Sequence, residues 1–500
     1  MKKGFIIILL LLPIIGLYAC DAGLAVLNDD ADTFEKKLFV WNGLNTWYFW
    51  QDKVDDLADD RREKTLDFAQ YLDRFPNEKA LFDHLIYDSE DRFPWFIEDY
   101  EEHEAARLGS SKSFGFRYGL RSLGSNDEVF GYVQYVVRGS PAEKAGLERG
   151  DIFNRINGQK LTLNNYSDLL NSDVYKLNIA LLRRTDLGNL TLVNTNDVIQ
   201  ISAELIQENP IHTARMYNAG NSTIGYLLYN SFRFNYHEEL NDQFNEFKNN
   251  GVNELVLDLR YNSGGALITT SLLASMITGL SSENVFAQLK YGAKRSNQNF
   301  TYKFADKLVV YDDNGMRVDN GTIDINSLNL NRVFVLTSTR TASASETLIN
   351  GLNAYGIEVI IIGENTVGKD LGSITVYDAP PTYTQESREN LNPNHKRAMQ
   401  PIVFKIFNRL GIDYPNGFAP DISESEVNYL IGGLPPLGHQ EEHLFKIAIG
   451  LITNTFLAKE QSPDIIDEFE YIMDSSELNP FNDELYLLPE DMVQLPVYDR

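Results

Sequence analysis

The sequence predicts an α/β protein in which the core follows a helical region and a β-rich region. Apolar residues between 32 and 104 recur at spacings of three and four, which is typical of helices. Short apolar runs between 113 and 205 are separated by glycine turns and predict strands. From residue 223 onward, buried strands alternate with helices, and this order predicts an α/β core.

Composition limits the classes of partner. A chain of 500 residues with 43% hydrophobic and 12% aromatic residues is long and apolar enough for a globular protein with several domains. The formal net charge of −27 disfavours nucleic-acid binding, because phosphate recognition needs a basic surface. The same charge disfavours electrostatic docking on anionic lipid.

The first segment, residues 1–20, has the pattern of a targeting peptide: two lysines, an apolar stretch and a small-residue end. A membrane-spanning helix is the alternative, but the stretch is short and contains Pro13 and Gly16. The ending Leu-Tyr-Ala-Cys20 resembles a bacterial lipobox, which implies that Cys20 carries a lipid. Cys20 is the only cysteine, so no disulfide can form within one molecule. We therefore predict an exported lipoprotein of the bacterial cell envelope, periplasmic or at the surface, tethered to a membrane.

Residues 21–109 predict an N-terminal helical domain. Phe34, Leu38 and Trp41 share one helical face, and two further short helices are predicted at 80–85 and 94–100. Nothing in this region has the pattern of a chemical site. The preferred interpretation is a packing domain.

Residues 110–206 predict a β-rich domain. The run from Gly139 to Gly158 resembles the signature of PDZ domains, which bind a free protein C-terminus as an added strand. The resemblance implies that the loop containing Phe114, Gly115, Phe116 and Gly119 holds the peptide. The alternative is a β-rich spacer whose groove is already filled.

Residues 207–460 predict the α/β core. Buried strands are expected at 224–229, 255–259, 333–336 and 359–362, and helices at 237–247, 265–277, 347–355 and 444–456. An inserted hairpin is predicted around the Asn-Gly turn at 314–315, where it would line a substrate channel. The acidic segment 461–500 is expected to lie apart or to cover an edge.

Two residues of the core could perform covalent chemistry. Ser343 lies where a strand passes into a helix, so backbone N–H groups at the helix start could stabilise an oxyanion. A serine needs a base, and Lys369 follows the next strand. Lysine acts as a base only when neutral, so its pKa would have to fall from about 10.4 toward about 7–8.

These residues carry a resemblance. Ser343-Ala-Ser-Glu346, followed by Gly-Glu-Asn-Thr-Val-Gly-Lys369, resembles the signature of the carboxy-terminal processing (tail-specific) serine proteases. The resemblance implies that Ser343 is the nucleophile and Lys369 its base. The turn at 257–265 resembles the family's oxyanion turn, which implies Gly264 or Gly265, with Ala344, as oxyanion donors. It also implies a ClpP/crotonase-like core. We expect no cofactor and no metal, because the sequence has no ligand spacing for zinc and no phosphate loop.

Alternatives and departures remain at this site. Ser343 could be a helix cap, and Ser345 is a rival nucleophile, although the position of Glu346 favours Ser343. Asp370 and Ser373 stand where the family usually has glycine and glutamine. We expect Asp370 to point away from the lysine and Ser373 to orient it by a hydrogen bond. No third catalytic residue is identified.

The sequence thus predicts an exported serine endopeptidase that binds protein C-termini and cleaves with a Ser-Lys dyad. A catalytically weak or inactive peptide-binding lipoprotein is the main alternative. A CoA-dependent enzyme of the crotonase type is disfavoured by the export signal. Zinc-ligand spacing, a G-x-S-x-G elbow and a phosphate loop are absent from the sequence.

Overall fold

A computed structural model of the chain describes residues 31–93, 95–124, 127–455, 468–478, 484–488 and 491. The predicted targeting segment, with Cys20 and its lipid anchor, lies outside these residues, as do parts of the acidic segment. Within the described ranges, no helix is long and apolar enough to cross a membrane.

The N-terminal domain is mainly helical, as predicted, and packs on the core through Phe39, Trp41 and Leu44. Its elements are α1 (Ala31–Trp47), α2 (Thr65–Leu72), α3 (Glu78–Leu85), β1 (Trp95–Ile97) and α4 (Tyr100–Arg107). The helix predicted at 94–100 is wrong. Trp95–Ile97 form β1 instead, because they pair with a strand of the core, and a partner strand outweighs local helical spacing.

The second domain is a β-sheet domain with two short helices. Its elements are β2 (Ser110–Ser113), β3 (Phe116–Leu123), β4 (Val129–Val136), α5 (Pro141–Lys144), β5 (Ile152–Ile156), β6 (Gln159–Lys160), α6 (Tyr166–Leu170), β7 (Val174–Arg184), β8 (Leu190–Ser202) and β9 (Glu204–Gln207). The strands β3-β4-β5-β7-β8 form one sheet. Strand β25 (Phe469–Asp474), from far along the chain, adds to its β3 edge.

The core alternates strands and helices, as predicted. Its elements are β10 (Ile211–Ala219), β11 (Ser222–Tyr229), α7 (His237–Asn249), β12 (Glu254–Asp258), β13 (Gly265–Ala266), α8 (Leu267–Thr278), β14 (Val285–Tyr291), β15 (Phe300–Lys303), β16 (Lys307–Tyr311), β17 (Arg317–Asp324), β18 (Arg332–Thr337), α9 (Ala344–Asn353), β19 (Glu358–Gly363), β20 (Leu371–Ser373), β21 (Val376–Tyr377), β22 (Ala398–Gln400), β23 (Ile402–Asn408), β24 (Ile422–Ser423) and α10 (His443–Ile452). The central sheet has the order β10-β11-β12-β18-β19-β24 and is parallel from β11 onward.

Helices cover both faces of this sheet, as the near-continuous apolar strands require. Leu348 and Leu352 of α9 pack in the main hydrophobic cluster, and α10 packs on the opposite face through Leu444 and Phe445. The loops that contain the candidate residues leave the carboxyl ends of β12, β18 and β19, where parallel sheets commonly place their sites.

A second sheet lies beside the site, in the order β13-β26-β20-β23-β14-β15. Its member β26 (Leu485–Tyr486) comes from the C-terminal segment of the chain. The predicted hairpin around 314–315 is present as β16 and β17. Its Tyr311 belongs to the same apolar cluster as Tyr486 and Leu488. The described parts of the acidic segment, residues 468–478 and 484–488, therefore pack into two sheets, and β25 covers the β3 edge, which is one of the two expectations.

Candidate active site

Ser343 occupies the turn between β18 and α9, at the N-cap position of the helix. Its backbone angles, φ 61° and ψ −112°, are strained for a residue with a side chain. Ser343 and Glu346 stand in a capping-box arrangement, but only its Glu346 half is a hydrogen bond: the carboxylate accepts the Ser343 N–H, whereas the buried Ser343 hydroxyl accepts no N–H from the helix. Within the described residues, the Ser343 hydroxyl has no hydrogen-bond partner at all. A capping serine uses its hydroxyl for the helix, so this one is left for another role.

Glu346 joins the serine turn to the lysine turn. Its Oε2 accepts the backbone N–H of Ser343 at 2.8 Å and that of Lys369 at 2.9 Å. Its Oε1 accepts the N–H of Gly368 at 2.6 Å and the hydroxyl of Thr366 at 2.5 Å. Because both backbone nitrogens donate to the same oxygen atom, the turn that contains Ser343 and the turn that contains Lys369 lie close together. Burial raises the pKa of Glu346, and the donated hydrogen bonds oppose that rise.

Lys369 is buried beside the N-terminal domain. Its amine lies 4.5 Å from the centre of the Phe93 ring. Asp91 is close enough to interact electrostatically with Lys369. The Asp91 carboxylate accepts the Tyr48 hydroxyl at 2.9 Å and the Phe93 N–H at 3.0 Å. The helical domain, interpreted from sequence as packing only, therefore supplies part of the wall around the lysine.

Asp370 and Ser373, the two residues that depart from the family pattern, both contact residues other than Lys369. Asp370 pairs with Lys405 at 3.1 Å, and not with its neighbour Lys369. The hydroxyl of Ser373 donates to the carbonyl of Leu485 at 3.2 Å and accepts from the amide of Gln400 at 2.9 Å. The expected hydrogen bond from Ser373 to Lys369 is therefore corrected: a neighbouring strand and a buried glutamine occupy that hydroxyl.

The two glycines of the predicted oxyanion turn have different partners. The Gly264 N–H donates to the side-chain oxygen of Asn262 at 2.9 Å, whereas the Gly265 N–H donates to the carbonyl of Glu484 at 2.6 Å. Both glycines have φ in the left-handed region, at 133° and 140°. A Cβ atom on Gly264 would lie 2.9 Å from the Cβ of Ser343, so glycine also permits the close approach of the serine.

Asn262 fixes this turn to the start of α9. Its carbonyl accepts the Ala342 N–H at 3.2 Å and the Ser345 hydroxyl at 3.1 Å. The rival nucleophile Ser345 thus has its hydroxyl engaged. Ala344 is the first residue of α9, where N–H groups have no intrahelical acceptor. Ser343, Ala344 and Gly265 therefore converge on one region of the molecule.

A buried ionic network lies behind the site and reaches the β-sheet domain. Arg260 bonds Asp258 at 2.6 Å and Glu442 at 2.8 Å, and Arg149 bonds Glu426 at 2.8 Å. Burial alone would raise the pKa of Glu426, but Arg149 and Arg260 hold it below its usual value. The network links the strand before the oxyanion turn to the second domain.

The predicted peptide-binding loop lies at the start of β3. Phe114 stacks on Tyr175 with ring centres 4.1 Å apart, and Gly115 has φ 79°. Phe116 begins β3, and Gly119 pairs with Asp474 of β25. From Gly119 to Leu123, the edge of β3 that an added peptide strand would need is thus occupied by the chain's own β25. Displacement of β25 would be required before another strand could add to this part of β3.

Several residues of the site were missed as contributors. Glu346 was visible in the motif, but its spacing gave no sign that it binds the lysine turn. Asn262 stands inside the glycine turn and could have been identified as a turn residue from its type. Arg107, which lies 3.2 Å from Glu484 beside Gly265, gave no sequence signal at all. No cluster of possible metal ligands occurs among the described residues.

Three parts of the chain match sequence models of known families. The sequence model of peptidase family S41 matches residues 223–397, that of the S41 N-terminal domain matches 35–95, and that of the PDZ domain matches 132–184. The chain belongs to peptidase family S41. Its fold is the S41 peptidase fold with an N-terminal domain and a PDZ domain, which confirms the family and domain types expected from the sequence.

Individual S41 relatives are distant. An S41 protease structure from Bacteroides fragilis NCTC 9343 superposes with a TM-score of 0.64 at 26% identity, covering 84% of this chain and 98% of the other. A chloroplastic C-terminal processing peptidase of Tetradesmus obliquus is 27% identical over 47% of this chain and 46% of its own length. A CtpA-like serine protease of Staphylococcus aureus (strain COL) is 22% identical over 62% and 55%. The match spans about half the length of these curated relatives.

Proposed function

We propose that the protein is a serine endopeptidase in which Ser343 attacks a peptide carbonyl and Lys369 is the general base. Lys369 takes the hydroxyl proton as the acyl-enzyme forms and gives it to the leaving amine. Water then hydrolyses the acyl-enzyme. Gly265 and Ala344 donate their N–H groups to the oxyanion. The N–H of Gly264 is held by Asn262 within the turn, whereas the N–H of Gly265 already donates to a carbonyl oxygen, that of Glu484.

One observation carries this proposal. Two backbone N–H groups, from the residues in the nucleophile and base positions, donate to a single buried carboxylate oxygen of Glu346. A shared acceptor fixes the distance between the two turns. Catalysis of this type needs the nucleophile and the base to be held in place before substrate binds. Glu346 does this by accepting hydrogen bonds from both turns.

Peptide hydrolysis by matched variants tests the proposal. A set of unrelated peptides is incubated with wild type, Ser343→Ala and Lys369→Ala, and products are identified by mass spectrometry. Both variants are expected to lose at least about 10³-fold in kcat. Ser345→Ala and Lys405→Ala are the controls and should retain activity. Cleavage that survives in Ser343→Ala or Lys369→Ala would overturn the dyad, and no cleavage by wild type would favour the peptide-binding alternative.

We further propose that the PDZ domain recognises peptide C-termini along β3. Support comes from β25, an antiparallel strand that β3 already accepts along Gly119–Leu123. Recognition would then require exchange of β25 for the incoming peptide. Binding of C-terminally free and amidated peptides to Ser343→Ala protein, compared by fluorescence anisotropy, tests this. Equal affinity for both peptides would exclude carboxylate recognition.

Export and lipidation are proposed from the N-terminal sequence, in which Cys20 ends a lipobox-like segment. Expression in a bacterium with labelled fatty acid should label the wild-type protein and not Cys20→Ser. A labelled Cys20→Ser variant would exclude this anchor.

A further inference from the structure

The C-terminal segment 484–488 fills the gap between the two strands that flank the proposed dyad. Strand β26 pairs in parallel with β13, which follows the oxyanion turn, and with β20, which follows Lys369. In the order β13-β26-β20, this segment lies between the two core strands and pairs with both of them. Leu485, Tyr486, Leu487 and Leu488 are all buried there. A gap between strands that accepts one extended segment is the usual means of holding a peptide by its backbone.

Glu484 stands where a scissile residue would stand. Its carbonyl oxygen accepts the N–H of Gly265 at 2.6 Å, the group proposed as an oxyanion donor. A Cβ atom on Gly264 would lie 2.3 Å from this oxygen, 3.1 Å from the carbonyl carbon and 2.9 Å from the Cβ of Ser343. The carbonyl of Glu484 and the side chain of Ser343 therefore face the same point on Gly264.

The side chain of Glu484 meets a cation that the proposed dyad does not use. Arg107 of α4 lies 3.2 Å from the Glu484 carboxylate and also donates to the Thr375 hydroxyl at 2.7 Å. Its guanidinium lies 4.0 Å from the centre of the Tyr486 ring. His103, one turn earlier, lies 3.8 Å from the same carboxylate. Burial, followed by the charge of Arg107, lowers the pKa of His103 well below its usual range, so Arg107 is the cation that faces Glu484.

The preceding part of the same segment lies on the PDZ domain. Strand β25 pairs antiparallel with β3, Met473 packs in the apolar cluster of that domain, and the Tyr118 N–H donates to the Ser475 hydroxyl at 3.0 Å. One stretch of chain therefore contacts both places at which a peptide substrate would be held.

We propose that residues 484–488 are a tethered, substrate-like ligand of the active-site cleft, and that Arg107 makes the position beside Gly265 selective for an acidic side chain. The inference rests on the proposed peptidase function, because it treats the cleft as a substrate site. The substrates it implies carry Glu or Asp at the scissile carbonyl, followed by large apolar residues. Free substrate must displace the segment from the cleft.

A binding experiment tests the inference without any cleavage. The probe is a fluorescent peptide with the sequence of residues 481–490, and the protein is the full chain with Ser343→Ala. Adding Leu485→Asp places a charge in a buried apolar position and should expel the segment, so the probe is expected to bind at least tenfold more tightly. Leu478→Asp, at an exposed position of the same segment, is the control and should leave the affinity unchanged.

The selectivity for an acidic side chain beside Gly265 is tested by a double-mutant cycle in the Ser343→Ala, Leu485→Asp protein, in which the segment is expected to be expelled. A probe with Gln in place of the residue corresponding to Glu484 should bind about tenfold or more weakly than the Glu probe. The difference in affinity between the two probes should vanish in Arg107→Gln. It should persist in the control Arg388→Gln, which removes a different cation, one that pairs with Glu104 of α4. Equal affinity for both probes with Arg107 intact would overturn the proposed selectivity.

Two further outcomes keep the tests separate. If Leu485→Asp does not fold, Glu484→Gln in the otherwise unaltered Ser343→Ala chain should speed hydrogen–deuterium exchange at residues 485–488, and unchanged exchange overturns the role of the Arg107 pair. Cleavage of unrelated peptides by wild type, with no binding of the probe to any variant, overturns this inference and leaves the dyad standing. If the probe binds as expected but wild type cleaves no peptide, the Ser343–Lys369 dyad is overturned and the binding of residues 484–488 in the cleft stands.

Discussion

The backbone N–H groups of Ser343 and Lys369 donate to one oxygen of the buried Glu346 carboxylate, at 2.8 and 2.9 Å. The two residues come from different turns, after β18 and after β19. Adjacent parallel strands bring these turns to the same edge of the sheet, but they do not set the distance between them. Glu346 does so, since it also takes donors from Thr366 and Gly368 on the lysine side.

Glu346→Gln is therefore expected to lower kcat for peptide cleavage by about 10²-fold with little change in KM, because an amide presents donors to groups that are themselves donors. Steady-state kinetics on a peptide cleaved by wild type measures the effect. Glu358→Gln, at the exposed start of β19, is the matched control. A wild-type kcat in Glu346→Gln would show that the clamp is dispensable.

Backbone strain at Ser343 gives a prediction about stability. Ser343→Gly and Ser343→Ala both remove the hydroxyl, but only glycine adopts φ 61° and ψ −112° without steric cost. The glycine variant should exceed the alanine variant by about 1–2 kcal/mol in the free energy of unfolding. Chemical denaturation of the two inactive proteins measures the difference. If alanine proves equal or more stable, the turn is not strained.

The arginines of two neighbouring strand regions allow a paired test of buried charge. Arg260 lies between Asp258 and Glu442 and is almost fully buried, whereas Arg332 pairs with Glu254 near the surface. Arg260→Met should cost about 3–5 kcal/mol of unfolding free energy, since it leaves buried carboxylates without their cation. Arg332→Met should cost about 0–1 kcal/mol. Similar costs for both would mean that the Arg260 network is solvated.

We expect the free energy of unfolding to depend on pH through Glu364, which follows β19. Burial and then repulsion from Glu426 raise the pKa of Glu364 from 4.5 to about 7. Between these values the folded protein keeps a proton that the unfolded chain has lost, so this residue makes the free energy of unfolding fall as pH rises through that window. Glu364→Gln should remove this loss.

Denaturation of wild type and Glu364→Gln across pH 4–8 checks the sign. The stability of the variant relative to wild type should increase from about pH 4.5 to about pH 7 and then level off. Glu283→Gln, in an exposed turn, should follow wild type throughout. A relative stability that decreases over this window would contradict the raised pKa.

Local patterns in the sequence were sufficient for much of the molecule. The strands β18 and β19, the helix α9 and the PDZ domain were predicted, because apolar periodicity and turn residues reflect local backbone preference. The motifs also gave Ser343, Lys369 and the glycine turn as candidates. Their chemical roles stay proposals, since a motif identifies residue types and the assays above decide what they do.

Where a partner strand decided the outcome, sequence reasoning failed. A helix was predicted at 94–100, but Trp95–Ile97 form β1 against β22. Ser373 was expected to orient Lys369, yet its hydroxyl bonds Leu485 and Gln400. In each case, a distant segment offered hydrogen bonds that local spacing does not encode.

By itself, the sequence determined the family, the order of domains and the residue types at the candidate dyad. Only the tertiary structure decided that Glu346 clamps two turns, and that Arg107 and Glu484 meet beside Gly265. The physical reason is that local periodicity specifies strands and helices but not which distant segments they bury together. A salt bridge between α4 and the C-terminal segment exists only after three sheets and a helical domain have packed.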